Sequence, residues 1–194
     1  MTEIKRRLNE FIKADKCLYL SKSGGAVRRA RIRHDKKYMI WKYMYFLRLS
    51  EYHTQMAREN KEQGKRFSKF YYEKKSLFID RKLNKFGEKT GIEVSKFHLE
   101  KSVRICHSGV VINGYVGENC VFHGNNIVGV KKTGDKDSVP KLGKRVDIGA
   151  GAIIIGNVEI ADDCIIGAGA VVTKSFKTPG TVIAGVPAKE ILNK

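Results

Sequence analysis

Acidic residues are scarce in this chain: 20 Asp and Glu stand against 38 Lys and Arg, leaving a formal net charge of +18. The deficit is local. Residues 1–90 hold 25 Lys and Arg but only 10 Asp and Glu, and the remainder is only slightly basic. Such a region suits an anionic partner, and charge alone does not choose among nucleic acid, membrane surface and acidic glycan. Cysteines are few: Cys17, Cys106, Cys120 and Cys164. None forms a CxxC pair or zinc-finger spacing, so reduced thiols in a cytosolic protein are expected rather than a disulfide framework. No apolar run approaches the ~18 residues of a membrane span. The charged start, MTEIKRRLNEFIKADK, lacks the apolar stretch of a secretory signal.

What is present divides into two grammars. Residues 1–90 read as a basic α-helical region. Leu8, Phe11 and Ile12 recur at helical spacing, and Ser21 to Gly25 reads as a break. Tyr38, Trp41, Tyr45, Leu49 and Tyr52 mark the apolar side of a second helix. Phe67, Phe70, Tyr71, Leu77 and Leu83 mark that of a third, from about Arg66 to Phe86. Stripes of this kind usually pack; the sharper alternative is a membrane interface.

From residue 110 the period becomes six. Val110, Val116, Phe122 and Val128 form one series, and Leu142, Ile148, Ile154, Ile160, Ile166 and Val172 another. A sustained hexapeptide period is a β-helix signature, with three hexads to each triangular coil and the series aliphatics pointing inward. Small residues four places on, among them Cys120, Cys164 and Asn126, fit a second inward position. The two cysteines are therefore expected in the core. Glycines after the aliphatic residue, as in Ile148-Gly149 and Ile166-Gly167, are expected at tight corners that need φ > 0. The polar stretch 129–141 interrupts the repeat and reads as a loop ejected from one corner. Residues 91–194 are thus expected to form one domain, with this loop and a C-terminal tail.

The run ICHSGVVI, the two IGAGA units and the ending VVTKSFKTPGTVIAGVPAKEI resemble the serine acetyltransferase-like branch of the hexapeptide acyltransferases. The likeness covers roughly residues 91–191. It implies a mainly β fold, a left-handed parallel β-helix with an α-helical N-terminal region, assembled as a homotrimer with active sites between neighbouring prisms. It also implies transfer of an acetyl group from acetyl-CoA to a hydroxyl, with no metal.

By this resemblance His107 is the catalytic base. A neutral imidazole suits removal of the acceptor proton and its return to sulfur, because its unperturbed pKa of ~6.5 lies near working pH. Glu93, in Gly91-Ile92-Glu93-Val94, matches the carboxylate that orients the histidine. Gly129, Ala150, Gly151, Ala168 and Gly169 match the backbone track of acetyl-CoA, Lys174 is a phosphate partner, and His123 is placed to contact the acceptor.

Two departures bear on the acceptor. Cys106 stands where serine enzymes carry the aspartate that holds the amino acid, and Ser138-Val139 replace an Arg-His pair before Pro140. The chain therefore looks more similar to the capsule and O-antigen polysaccharide O-acetyltransferases. The expected acceptor is a sugar hydroxyl, with serine O-acetylation in cysteine biosynthesis as the alternative. The basic region then suits peripheral contact with an anionic glycan or membrane, in a cytoplasmic protein at the inner membrane surface. No base-stacking or recognition-helix pattern supports nucleic acid.

Overall fold

In a computed structural model of the chain, described for residues 2–20, 24–33, 35–132, 135 and 138–191, the polypeptide forms two compact units, 1–90 and 91–194. The first contains helices α1 (Glu3–Tyr19), α2 (Gly24–Ile32), α3 (Lys36–Glu62) and α4 (Arg66–Thr90). Asp35 caps α3 by accepting from the Lys37 amide at 2.8 Å. The Ser50 hydroxyl donates to the Asp80 carboxylate and ties α3 to α4. Arg48 of α3 is 2% exposed, with Nε 3.1 Å from Asp15 Oδ2 of α1 and Nη1 3.3 Å from Glu51 Oε2.

Three expectations for this unit need correction. Gly24 and Gly25 open α2 rather than extending the break, and Ser21–Ser23 lie outside the described residues. The buried stripe of α3 runs through Ile40, Tyr43, Met44 and Leu47; of the expected stripe only Tyr38 is fully buried, the other four being half-exposed flanks. On α4, Phe67, Phe70, Tyr71 and Leu77 face solvent, and Ser76, Ile79, Leu83 and Thr90 are buried instead. The period was right for a helix, but it carries two apolar stripes on α4, and only one of them finds a partner.

The second unit is built of parallel strands in three sheets. The first sheet has the order β1 (Ile92–Val94), β3 (Val110–Ile112), β6 (Ile127–Gly129), β9 (Ile153–Ile155) and β12 (Val171–Val172). The second has β4 (Tyr115–Val116), β7 (Lys141–Leu142) and β10 (Glu159–Ile160). The third has β2 (Arg104–Ile105), β5 (Val121–Phe122), β8 (Asp147–Ile148), β11 (Ile165–Ile166), β13 (Val182–Gly185) and the antiparallel β14 (Ala188–Ile191). From β3 onward the chain visits first, second and third sheet in fixed rotation, a three-sided coil.

Its interior follows the period. All ten series aliphatics from Val110 to Val172 are at most 5% exposed. Burial of each contributes ~1.5–3 kcal/mol relative to leaving it in water. Gly114, Cys120, Asn126, Val146, Ala152, Val158, Cys164 and Ala170 are buried beside them. Burial pushes the Cys120 thiol up to about 11, and Cys120 Sγ donates to the Gly143 carbonyl at 3.1 Å. Phe122 pairs Ile148 across the 129–141 interruption, and Ile148 pairs Ile166, so the coil resumes its register after the loop.

The corner glycines act differently from expectation. Gly117, Gly149 and Gly167 are not the positive-φ residues; Asn119, Gly151 and Gly169 are. A Cβ at Gly149 would lie 2.5 Å from the Ala168 amide nitrogen, and one at Gly117 would lie 2.5 Å from the Gly143 carbonyl oxygen. These glycines are required by the closeness of the next coil, not by backbone conformation.

Candidate active site

Four successive coils turn from the third sheet to the first at one corner, through residues 106–109, 123–126, 149–152 and 167–170. Backbone bonds stitch this corner into a column. Asn125 N donates to Ser108 O, Gly151 N to Gly124 O and Gly169 N to Ala150 O, each at 2.9 Å. The column brings together His107, His123, Ala150, Gly151, Ala168 and Gly169, which lie far apart in sequence.

His107 is exposed, two residues beyond β2. The next coil backs it closely: a Cβ on Gly124 would fall 2.6 Å from His107 Cβ, and Gly124 has φ 125°. Only glycine meets both conditions. Beneath this corner lies Asn126, 0% exposed. Its Oδ1 accepts from Gly124 N at 2.9 Å and its Nδ2 donates to Gly149 O at 2.7 Å. A satisfied buried amide of this kind fixes the geometry of the corner it spans.

His123 Nε2 lies 2.7 Å from Asp147 Oδ1, with both side chains about half exposed. Asp147 was not singled out from the sequence. The signal was its place immediately before Ile148, on the outward-facing side of a strand; its pairing with His123 needs the register across the 129–141 loop.

The other expected residues lie apart from this column. Glu93 is exposed on β1, where it pairs in register with Val111, and among the described residues no hydrogen bond joins it to His107. Gly129 and Lys174 stand at the next corner, where the chain leaves the first sheet. There Gly156 N donates to Gly129 O at 2.9 Å. Lys174 Nζ sits 5.4 Å from the Phe176 ring centroid and borders a cavity of about 290 Å³ with Thr178, Thr181 and Glu190. The expected acyl-donor residues are thus divided between two corners that flank the first sheet. Cys106 is half exposed, one residue before His107, and Val139 lies in the loop, buried. Among the described residues no group of three or more His, Cys, Asp or Glu is arranged to hold a metal ion.

Residues 140–174 match the model for the bacterial transferase hexapeptide (six repeats). The chain is 35% identical over 126 residues to a serine acetyltransferase of Helicobacter pylori (strain J99), covering 62% of this chain and 72% of that one. This chain belongs to the serine acetyltransferase family. A serine acetyltransferase of Buchnera aphidicola from Schizaphis graminum is 39% identical over 87 residues, 43% of this chain and 33% of that one. The chain spans about a third of the length of several such relatives. The fold of the Neisseria gonorrhoeae serine acetyltransferase matches with a TM-score of 0.64 at 22% identity, covering 97% of this chain and 68% of that one. The soybean serine acetyltransferase apoenzyme matches at 0.62 and 22%, covering 96% and 69%.

These relatives overturn the expected sugar acceptor. They are named serine acetyltransferases, and their names carry no capsule or O-antigen link. The expectation rested on Cys106 and Ser138-Val139. Loss of charged side chains changes how an amino acid is held, but it does not by itself build a sugar site. No helix among the described residues is long and apolar enough to cross a membrane.

Proposed function

We propose that the protein transfers the acetyl group of acetyl-CoA to the hydroxyl of serine, with His107 as general base. The observation that carries this reading is the corner column, which gathers His107 with the Gly and Ala corners in a chain of the serine acetyltransferase family. His107 takes the hydroxyl proton as the oxygen attacks the thioester carbonyl. The tetrahedral adduct collapses, the carbon–sulfur bond breaks, and the imidazolium returns the proton to the CoA sulfur. Ala150, Gly151, Ala168 and Gly169 present backbone with no bulky side chain, so an extended pantetheine chain has room to lie along the column.

Serine is a zwitterion, and the departures at Cys106 and Ser138-Val139 remove charged partners. The His123–Asp147 pair supplies replacements on this reading. One Asp147 oxygen remains to accept from an ammonium group, and the imidazole keeps its second ring nitrogen for the acceptor. Gly129 and Lys174 serve the same donor molecule from the next corner of a neighbouring copy, in a homotrimer of left-handed prisms. Glu93 orients His107 in that assembly.

The test is release of free CoA thiol from acetyl-CoA, with and without L-serine, by wild type and His107→Ala. The expected result is serine-dependent release that falls by about 10²–10⁴-fold in the variant, with acetyl-CoA binding retained. Bound acetyl-CoA with no response to serine would refute the reading.

A further inference from the structure

Helix α4 carries two apolar stripes on opposite sides. One is buried and includes Ile79 and Leu83. The other consists of Phe67, Phe70, Tyr71, Leu77 and Phe78, which are 51–94% exposed. Positions 67, 70, 71, 74, 77, 78, 81 and 85 follow the 3.6-residue period, so Lys74, Arg81 and Lys85 share this outer face. Lysines also reach across the rings: Lys74 Nζ is 5.2 Å from the Phe70 centroid, Lys75 Nζ 5.6 Å from Tyr71 and Lys82 Nζ 4.6 Å from Phe78. Of the acidic residues on α4, Asp80 is bonded to Ser50 and Glu73 pairs with Lys69 at 3.5 Å, leaving Glu88 near the far end.

We infer that this face of α4 docks on the surface of an anionic lipid bilayer. Rings beside lysines match the two layers such a surface presents: aromatic side chains settle at the headgroup boundary, and ammonium groups on flexible stems reach the phosphates. The helix lies on the surface, since its charge forbids a span. Charge separates this partner from a second copy of the chain. Residues 1–90 carry 25 basic against 10 acidic side chains, so two such faces repel where a lipid phosphate layer attracts. A soluble acidic polymer would match the lysines but would leave five large apolar side chains in water.

The experiment is co-sedimentation of the full chain with vesicles of phosphatidylcholine alone and of phosphatidylcholine mixed with phosphatidylglycerol. Wild type is compared with Phe67→Ser/Phe70→Ser/Phe78→Ser and with Lys74→Gln/Lys82→Gln. These side chains are exposed, so the variants should fold, which circular dichroism verifies. Binding is expected only to the anionic vesicles and is expected to weaken with salt as screening shortens. It should fall about ten-fold or more in the aromatic variant and about five-fold per lysine removed. Absence of wild-type binding to anionic vesicles overturns the inference. So does an aromatic variant that binds as wild type, which would reduce the effect to charge. Sedimentation velocity without lipid tests the competing occupant: an aromatic variant that forms a smaller assembly than wild type assigns the stripe to contacts between copies, against the inference.

Discussion

His123 Nε2 and Asp147 Oδ1 meet at 2.7 Å across two coils separated in sequence by the 129–141 loop. Because both groups are about half exposed, the pair adds little to stability, as exposed ion pairs do. Its consequence should appear in acceptor binding. Asp147→Asn keeps the shape and removes the charge; His123→Gln keeps a donor and removes the imidazole. Either is expected to raise KM for serine about 10- to 100-fold, the range for a lost charged hydrogen bond. The melting temperature should hardly move. Steady-state kinetics with serine varied at saturating acetyl-CoA checks this. Unchanged KM in both variants would remove the pair from the acceptor site.

The hexapeptide period made the interior of the second unit legible, because a coil repeats one physical demand: an aliphatic side chain at every sixth place and a small one four places later. Phe122, Ile154 and Ala152 are where that demand puts them. The glycines were legible as necessary but not for their reason. Gly149 answers to the distance between coils, which appears only once coils are stacked. Asp147 was hidden for the same cause, since which residues become neighbours depends on how much chain the loop ejects. On α4 the sequence carried two apolar stripes of similar strength, and periodicity cannot say which one is covered. The acceptor was misread because Cys106 and Ser138-Val139 mark only what is missing, and a missing contact does not name its replacement.

Gly149 gives a sharp test of coil spacing. Its missing Cβ would meet the Ala168 amide nitrogen at 2.5 Å and the Gly167 carbonyl carbon at 2.8 Å, both backbone atoms held by sheet bonds. Gly149→Ala is therefore expected to destabilise the second unit by about 1–3 kcal/mol, as overpacking does. At Gly169 nothing lies within 4 Å, and only the φ of 68° is at stake, so Gly169→Ala should cost about 1–2 kcal/mol from conformation alone. Urea unfolding, together with a structure of each variant, separates the two causes. A displaced neighbouring coil is expected for the first and an unmoved one for the second.

Arg48 fixes the sign of a different experiment. It is buried between Asp15 and Glu51, and its guanidinium also lies 4.7 Å from the Phe11 ring centroid. Arg48→Ala removes the guanidinium from between two buried carboxylates and should cost about 3–5 kcal/mol in the helical unit. Replacing all three groups, Asp15→Leu/Arg48→Met/Glu51→Leu, removes the buried carboxylates together with the guanidinium, so most of that loss should return. Trp41 of α3 is the single tryptophan, and its fluorescence reports unfolding of this unit. If the triple variant proves no more stable than Arg48→Ala, the loss arises from packing around Phe11 rather than from the buried carboxylate charge.

His98 supplies the pH dependence. Its ring packs against Tyr115 at a tilt of 42° with centroids 4.6 Å apart, and its buried Nδ1 has no hydrogen-bond partner. Burial holds its pKa below the ordinary value near 6.5. The neutral form is therefore favoured in the folded state, while the unfolded chain takes up a proton near pH ~6.5. Below that pH the unfolded state binds more protons, so the stability due to His98 is present above about pH 7 and declines as pH falls toward the folded pKa. His53 shifts in the same direction in the helical unit, from burial and then from Lys75. His98→Phe preserves a ring against Tyr115 and removes the titration. Urea unfolding at about pH 7 and about pH 5 should show a smaller acid loss for this variant than for wild type. An identical loss in both proteins would mean that His98 is solvated well enough to titrate alike in the folded and unfolded chains.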